Sequence, residues 1–174
     1  MSDPRKDLSS EAPVIRCAVD EDGEGIAELI CAVFREYEGC VFDREAEFPE
    51  LDAVATHFAG RQGAVWVAVQ SECVVGSIAV AWMPHTRVHE LLKLYVAMDQ
   101  RGGGLAPALL DRALGFVADR GAQHIELWTD TRFTRAHRFY ERHGFRFTGR
   151  IRELGDLSGS KEFHYVRDGV LGRP

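Results

Sequence analysis

Arg101-Gly102-Gly103-Gly104-Leu105-Ala106 stands between an apolar run, Leu91-Leu92-Lys93-Leu94-Tyr95-Val96, and a segment whose apolar residues recur with helical spacing. A strand, a glycine turn and a helix start together can hold an anion. The first four backbone N–H groups of a helix lack intrahelical partners and point along the positive end of its dipole, and glycine lets a phosphate approach the main chain closely. Three glycines after a strand also make a plain tight connection, so the cluster alone leaves phosphate binding and simple chain reversal both open.

The segments on either side read as regular elements. Val14 to Ala18 is expected to be a first strand, and Asp20 is a candidate helix cap before the series Ile26, Leu29, Ile30, Val33 and Phe34. Tyr37 to Asp52 forms an acidic connection holding Glu38, Asp43, Glu45, Glu47, Glu50 and Asp52, and leads into a second helix with Leu51, Val54 and Phe58. Residues 64–69 and 74–81 are β-rich and suit an antiparallel hairpin, and Val88 to Ala97 supplies the next strand. After the glycines, Leu105, Leu109, Ala113, Leu114 and Val117 share a helical face, with Pro107 in the first turn and Gly121 as terminator. Ile125, Leu127 and Thr129 alternate as a strand, a helix holding Ala136 to Arg142 ends at Gly144, and residues 145–148 and 163–166 are the last strands. The order is α+β with one central mixed sheet. Helices must cover both faces of it, because strands such as Leu91 to Val96 are apolar on both sides.

Composition excludes several classes. The 174 residues, 45% hydrophobic and 28% charged, suit one globular unit with a real core. No run approaches the roughly 20 apolar residues that span a bilayer, and the N-terminal residues lack the apolar core of a signal peptide, so the expectation is a cytoplasmic protein without a membrane partner. Cys17, Cys31, Cys40 and Cys73 form no Cys-x-x-Cys pair, the seven histidines show no ligand spacing, and no metal is assigned. A net charge of −6 argues against a nucleic-acid partner. Arg132, Arg135 and Arg138 read as a solvated helix face, and the acidic 37–52 segment as either a solvated charge run or a surface that attracts a cationic amine.

Residues 90–110 read with 136–145, Ala-His-Arg-Phe-Tyr-Glu-Arg-His-Gly-Phe, resemble the GNAT superfamily of acyl-CoA-dependent N-acyltransferases. Its pyrophosphate signature, Arg/Gln-x-x-Gly-x-Gly/Ala, is met by Arg101, Gly104 and Ala106. Its distal signature, Ala-x-x-x-Tyr-x-x-x-Gly-Phe, is met by Ala136, Tyr140, Gly144 and Phe145. The resemblance extends in less detail from about Val14 to Val166. It implies a GNAT-like central mixed, mostly antiparallel sheet, splayed at the cofactor cleft and flanked by helices. One acetyltransferase domain would span residues 13–168, between a flexible N-terminal tail (1–12) and a C-terminal tail (169–174).

The same resemblance implies acetyl-CoA as co-substrate and a primary amine as acceptor, cationic if the acidic segment faces it. Cofactor contacts would come from Leu94, Tyr95 and Val96, chiefly their backbone, and from Arg101, Gly102, Gly103, Gly104, Leu105 and Ala106. The N–H of Val96 would polarise the thioester carbonyl. Tyr140 matches the family's general acid, a phenol that stays protonated at neutral pH; its bland alternative is a helix aromatic packed beside Phe133, Ala136 and His137. Glu90 is the first candidate base, against an exposed residue at a strand's start, and Asp130 is the reserve. Two departures stand out. Phe133 occupies a position where the family often has a cofactor-contacting asparagine, and Gly103 one where a larger, often basic residue is common. A dinucleotide enzyme would need glycine where Pro107 stands, whereas a catalytically silent CoA-binding module is the surviving alternative. A homodimer is left open, and Gly155 to Ser160 is expected to be a flexible wall of the acceptor pocket.

Overall fold

A computed structural model describes residues 11–170. Residues 1–10 and 171–174, most of the two expected tails, lie outside the described residues. Seven strands form one sheet in the order β1-β2-β3-β4-β5-β7-β6: β1 (Val14–Cys17), β2 (Ala64–Gln70), β3 (Cys73–Met83), β4 (Val88–Val96), β5 (His124–Asp130), β6 (Arg146–Glu153) and β7 (Lys161–Asp168). Every neighbouring pair is antiparallel except β4 and β5. The sheet is therefore mixed and mostly antiparallel, as expected. The hairpin of β2 and β3 turns on Ser71 and Glu72, both at positive φ (50° and 66°), the twist that a two-residue hairpin loop requires.

Among the described residues five α-helices accompany the strands: α1 (Gly23–Phe34), α2 (Arg44–Glu47), α3 (Val54–Gly60), α4 (Leu105–Ala118) and α5 (Thr134–Arg142). Two parallel strands need a crossover, and α4 makes it between β4 and β5. Its buried Leu109, Leu110, Ala113 and Val117 pack with Leu91, Ile125 and Leu127 on one face of the sheet. On the opposite face Ile26 and Ile30 of α1 and Val54 and Phe58 of α3 pack with Val65, Val67, Ala79 and Ala81. That second layer covers β2 to β4. Beyond it, β5, β7 and β6 present Glu126, Trp128, Glu162 and Arg152 to open clefts. None of the described helices is long and apolar enough to cross a membrane.

Asp20 does not cap α1. Its carboxylate accepts from Thr56 N (2.8 Å) and Thr56 Oγ1 (2.7 Å), so it caps α3, more than thirty residues ahead, and these bonds hold its pKa below the usual value. Nor is the 37–52 segment only a solvated connection. Asp43 caps α2 through Ala46 N (3.1 Å), while Phe48 and Leu51 are buried in the α1 layer and Phe42 packs against it.

Among the described residues the sheet is interrupted by three register shifts, and the one between β3 and β4 shapes the cleft. Ser77 pairs with Tyr95 and Ala79 with Leu92, so Lys93 and Leu94 together oppose Ile78. This β-bulge puts Lys93 at φ 55°, and Ser77 Oγ donates to its carbonyl at 2.7 Å. On the other edge, β4 pairs with β5 only from His89 to Leu91. Past Leu91 the two strands part. The bulge is anchored by its own side chain: the Lys93 ammonium lies 2.6 Å from Glu50 and 4.3 Å from the centre of the Phe48 ring, with burial pushing its pKa down and Glu50 pulling it back.

Removing one partner of a buried pair leaves an uncompensated charge, which costs about 3–5 kcal/mol. Glu50→Ala is therefore expected to lower unfolding stability on that scale in urea titration, and Lys93→Met combined with Glu50→Leu to recover most of the loss. Equal destabilisation by the single and double changes would show that the ion pair does not anchor the bulge.

Candidate active site

The parting of β4 from β5 creates a cleft with unpaired main chain. Ala97 N donates to Val75 O on the β3 side at 2.9 Å. Amides alternate sides along an extended strand, so the Val96 N–H faces the gap. At the end of β4 the chain passes through Gly102 (φ 83°) to Gly104, the N-cap of α4 at φ 88°, in the left-handed region that glycine adopts without a Cβ penalty. No acidic residue stands in the first turn of α4, and Pro107 falls there, where its missing N–H removes no helical bond. The free N–H groups at this helix start thus open onto the same cleft as Val96.

A 540 Å³ cavity fills the cleft, lined by Leu94, Tyr95, Val96, Arg101, Gly102, Gly104 and Ala106 among others. Two of the expected cofactor residues do not line it. Gly103 is exposed, and the Leu105 side chain packs against the core beneath α4. The Arg101 guanidinium is already engaged, donating to both Glu36 oxygens (2.6 and 2.7 Å) and through Nε to Val96 O (3.0 Å). Its side chain ties the loop to the end of α1, which leaves its backbone for a ligand. The positive rim of the cavity comes instead from Arg135 and Arg142, with His143 beside them. Arg135 is exposed on the helix, as expected, and borders this rim, but Arg132 is not on the helix at all: it grips Asp130 (2.6 and 2.9 Å) and Ser160 Oγ (2.9 Å). Arg138 is exposed, as expected.

A second cavity, of 430 Å³, lies on the other side of the parted strands and is lined by Glu90, Leu92, Lys93, Trp128, Asp130, Arg152 and Glu162. Leu94, Tyr95, Phe133, Ala136 and Tyr140 line both cavities. Tyr140 is 6% exposed, and burial alone pushes its pKa up, so the phenol remains protonated. Tyr95, expected to act through its backbone, also presents its ring at this junction, and its phenol too is raised by burial. Phe133 closes the wall between the cavities, its ring centre 4.6 Å from Tyr37 and 6.0 Å from Phe34. Of the 155–160 segment, expected to be flexible, Asp156, Ser158 and Ser160 line this cavity, and the segment is pinned. Ser158 Oγ accepts from Val41 N at 2.8 Å and donates to Val41 O at 3.2 Å.

The carboxylates of the second cavity differ sharply. Asp130 is locked by Arg132, whose contacts hold its pKa below the usual range against the effect of burial. Glu162 is raised by burial but pairs with Arg152 Nε at 2.6 Å. Glu90 is 8% exposed, forms no ion pair among the described residues, and is raised from about 4.5 to about 7, first by burial and then by Glu126 and Glu162 against the pull of Arg152. It sits inside β4, opposite Glu126, rather than at an exposed strand end. The sequence reading did not find Trp128, Arg152 or Glu162, which no motif marks and which only the pairing of β5, β7 and β6 gathers. Among the described residues no group of three or more His, Cys, Asp or Glu side chains is placed to hold a metal ion.

The fold has counterparts among solved structures, and part of the sequence has counterparts among known proteins. An uncharacterized N-acetyltransferase of Mycobacterium tuberculosis is 40% identical over 60 residues, 34% of this chain and 38% of its own, so the chain spans well under half the length of that relative. A GNAT acetyltransferase from Staphylococcus aureus Mu50 superposes with a TM-score of 0.76 at 22% identity, over 90% of this chain and 99% of its own. A putative acetyltransferase from Salmonella typhimurium, solved with its cofactor acetyl-CoA, superposes at 0.72 with 19% identity, over 91% of this chain and 94% of its own. The sequence model of the acetyltransferase (GNAT) family matches residues 15–145, which carry the parted strands, the glycine turn and the helix of Tyr140, and the chain belongs to that family.

Proposed function

We propose that the protein moves an acetyl group from acetyl-CoA to a primary amine by direct attack on the thioester, and that residues 13–168 form the one domain that does so. The observation that carries this reading is the junction at Leu94, Tyr95, Phe133, Ala136 and Tyr140, where a cavity opening on a helix N-terminus meets one holding a raised, unpaired carboxylate. The first cavity suits CoA. Its pyrophosphate would lie on the amides from Gly102 to Ala106, with Arg135 and Arg142 at the rim, and its pantetheine arm in the gap beside β4.

Acyl transfer to an amine needs a polarised carbonyl, a neutral nucleophile and a proton for the leaving thiolate. The Val96 N–H supplies the first. Glu90, its carboxyl raised to about 7 by burial, takes the proton that an ammonium acceptor must lose. Tyr140, kept protonated by burial, gives a proton to the departing sulfur. The Asp130 carboxylate, already held by Arg132, is a poor base. The excess of carboxylates in the second cavity favours an acceptor with a positive charge.

Three outcomes test this reading. Gly104→Val finds no steric neighbour in the protein itself, but it strains a φ of 88° and crowds a bound phosphate; acetyl-CoA at about 100 times its Kd should stabilise the wild type by roughly 2.7 kcal/mol and the variant far less. Tyr140→Phe should keep acetyl-CoA binding while slowing turnover by about 10² to 10⁴-fold, and full kcat under chemistry-limited conditions would return Tyr140 to a packing role.

Glu90→Gln should abolish the rate inflection near pH 7, with partial rescue at higher pH where the free amine is abundant. The same change bears on stability. Folding raises the Glu90 pKa above its unfolded value, so the penalty is absent below about pH 4.5 and grows as pH rises through about 7. Above that window Glu90→Gln should therefore be more stable than wild type, by up to about 3 kcal/mol. Thermal unfolding at pH 5 and pH 8 checks the sign, and a gain at both pH values alike would break the link to ionisation.

A further inference from the structure

Beyond the second cavity a groove of 660 Å³ continues along the open face, lined by His85, Thr86, Glu126, Arg150 and Ile151 and sharing Glu90, Trp128 and Arg152 with the cavity. We propose that this groove receives the carboxylate of a small amino-acid acceptor on Arg150 and Arg152, while its amine lies at Glu90. The inference rests on the amine-transfer reading above and adds the class of acceptor.

The groove is built by a second bulge. Phe147 pairs with Tyr165 and Ile151 with Phe163, so Thr148, Gly149 and Arg150 all oppose His164. Gly149 takes φ 84°, and Thr148 Oγ1 shares a 2.9 Å hydrogen bond with His164 Nδ1. His164 Nε2 lies 3.2 Å from Glu126 Oε2, and Thr86 Oγ1 donates to Glu126 Oε1 at 3.0 Å. Both His164 and Glu126 are buried. A bulge re-aims side chains, and this one brings Arg150 and Arg152 to the same aromatic platform, their guanidinium carbons 5.2 and 4.3 Å from the centre of the Trp128 ring.

Charge then selects the ligand. Arg152 is matched by Glu162 through Nε, whereas Arg150 has no carboxylate partner among the described residues. Glu90, bordering the same groove, has no cationic partner at ion-pair distance among them either. While Glu126, the groove's other carboxylate, accepts from Thr86 and meets His164 at 3.2 Å, Arg150 and Glu90 thus border Trp128 without an opposite charge. A zwitterion satisfies both. A polyamine would set a second ammonium against two guanidiniums, which like-charge repulsion opposes, and a peptide amide or a simple alkylamine would leave Arg150 without its counterpart.

The test is acetylation of matched acceptors: an α-amino acid, its carboxamide and its decarboxylated amine, with ω-amino acids of increasing chain length to gauge the spacing. Expected is a kcat/KM for the best amino acid at least tenfold above its amide and amine counterparts, with a KM that rises with salt as charge pairing is screened. Arg150→Ala and Arg150→Gln should each bring that ratio toward one, a change of about ten- to hundredfold as for a lost charge-assisted hydrogen bond. The inference is overturned if amides, alkylamines or polyamines are preferred, or if the preference for a carboxylate survives in both variants. Acetylation of simple amines with no advantage for a carboxylate leaves the amine-transfer reading standing. Failure to release CoA with any amine overturns both.

Discussion

The molecule depends on the parting of two parallel strands. Backbone groups in the middle of a sheet normally pair with a neighbour, and β4 stops doing so after Leu91. Its inner edge past that residue faces a cleft rather than β5, and the bulge at Lys93 and Leu94 supplies the extra twist that swings the strand away. The cost is borne locally by Ser77, which satisfies the Lys93 carbonyl, and by Glu50 and Phe48, which receive the Lys93 side chain. Both cavities exist because of this parting, and the residues they share lie along its rim. A continuous β4–β5 ladder would bury the Val96 amide in a hydrogen bond and seal the passage from Ala106 to Glu90.

The two halves of the sheet divide the labour. Where α1 and α3 cover β2 to β4, apolar strand residues pack on both faces and form the core. Where they do not, β5, β7 and β6 carry polar and aromatic side chains on the exposed face. The change occurs at Glu90 and its neighbour Glu126, carboxylates adjacent on parallel strands. Desolvation under the edge of the apolar layer, with a second carboxylate alongside, lifts Glu90 toward neutrality. A group of that kind opposes folding, and such groups cluster at functional sites for that reason.

Much of this was legible in the chain. The period-two and helical patterns gave the hairpin, the crossover helix and the two-faced apolar strand, and the glycine and tyrosine motifs located the cleft. What escaped was tertiary. Asp20 looks like the cap of the helix that follows it, yet it caps α3, because a carboxylate can serve any helix start brought within 3 Å. Arg132 sits beside a helix in sequence, but its planar fork matches the Asp130 carboxylate, which takes it off the solvated helix face. Lys93, Trp128, Arg150 and Arg152 lie in no motif. Their places follow from strand register and bulges, where insertion of a single residue reverses the side a residue faces.

The charge pattern of the open face explains why these registers matter. Asp130 with Arg132, Glu162 with Arg152 and Glu50 with Lys93 are each matched within 2.6 Å. Paired charges of this kind shape a pocket and exclude wrong partners more than they attract the right one. Pairing accounts for only part of the cavity's carboxylates: Asp130 and Glu162 meet guanidiniums, whereas Glu47, Glu90 and Asp156 form no ion pair among the described residues. Glu90 remains because β4 places it next to Glu126 rather than next to a cation, and Arg150 remains because the Gly149 bulge draws it onto Trp128 rather than toward an acid. Glu90 and Arg150 thus both border the Trp128 groove without an ion-pair partner among the described residues, and strand geometry is what leaves them so.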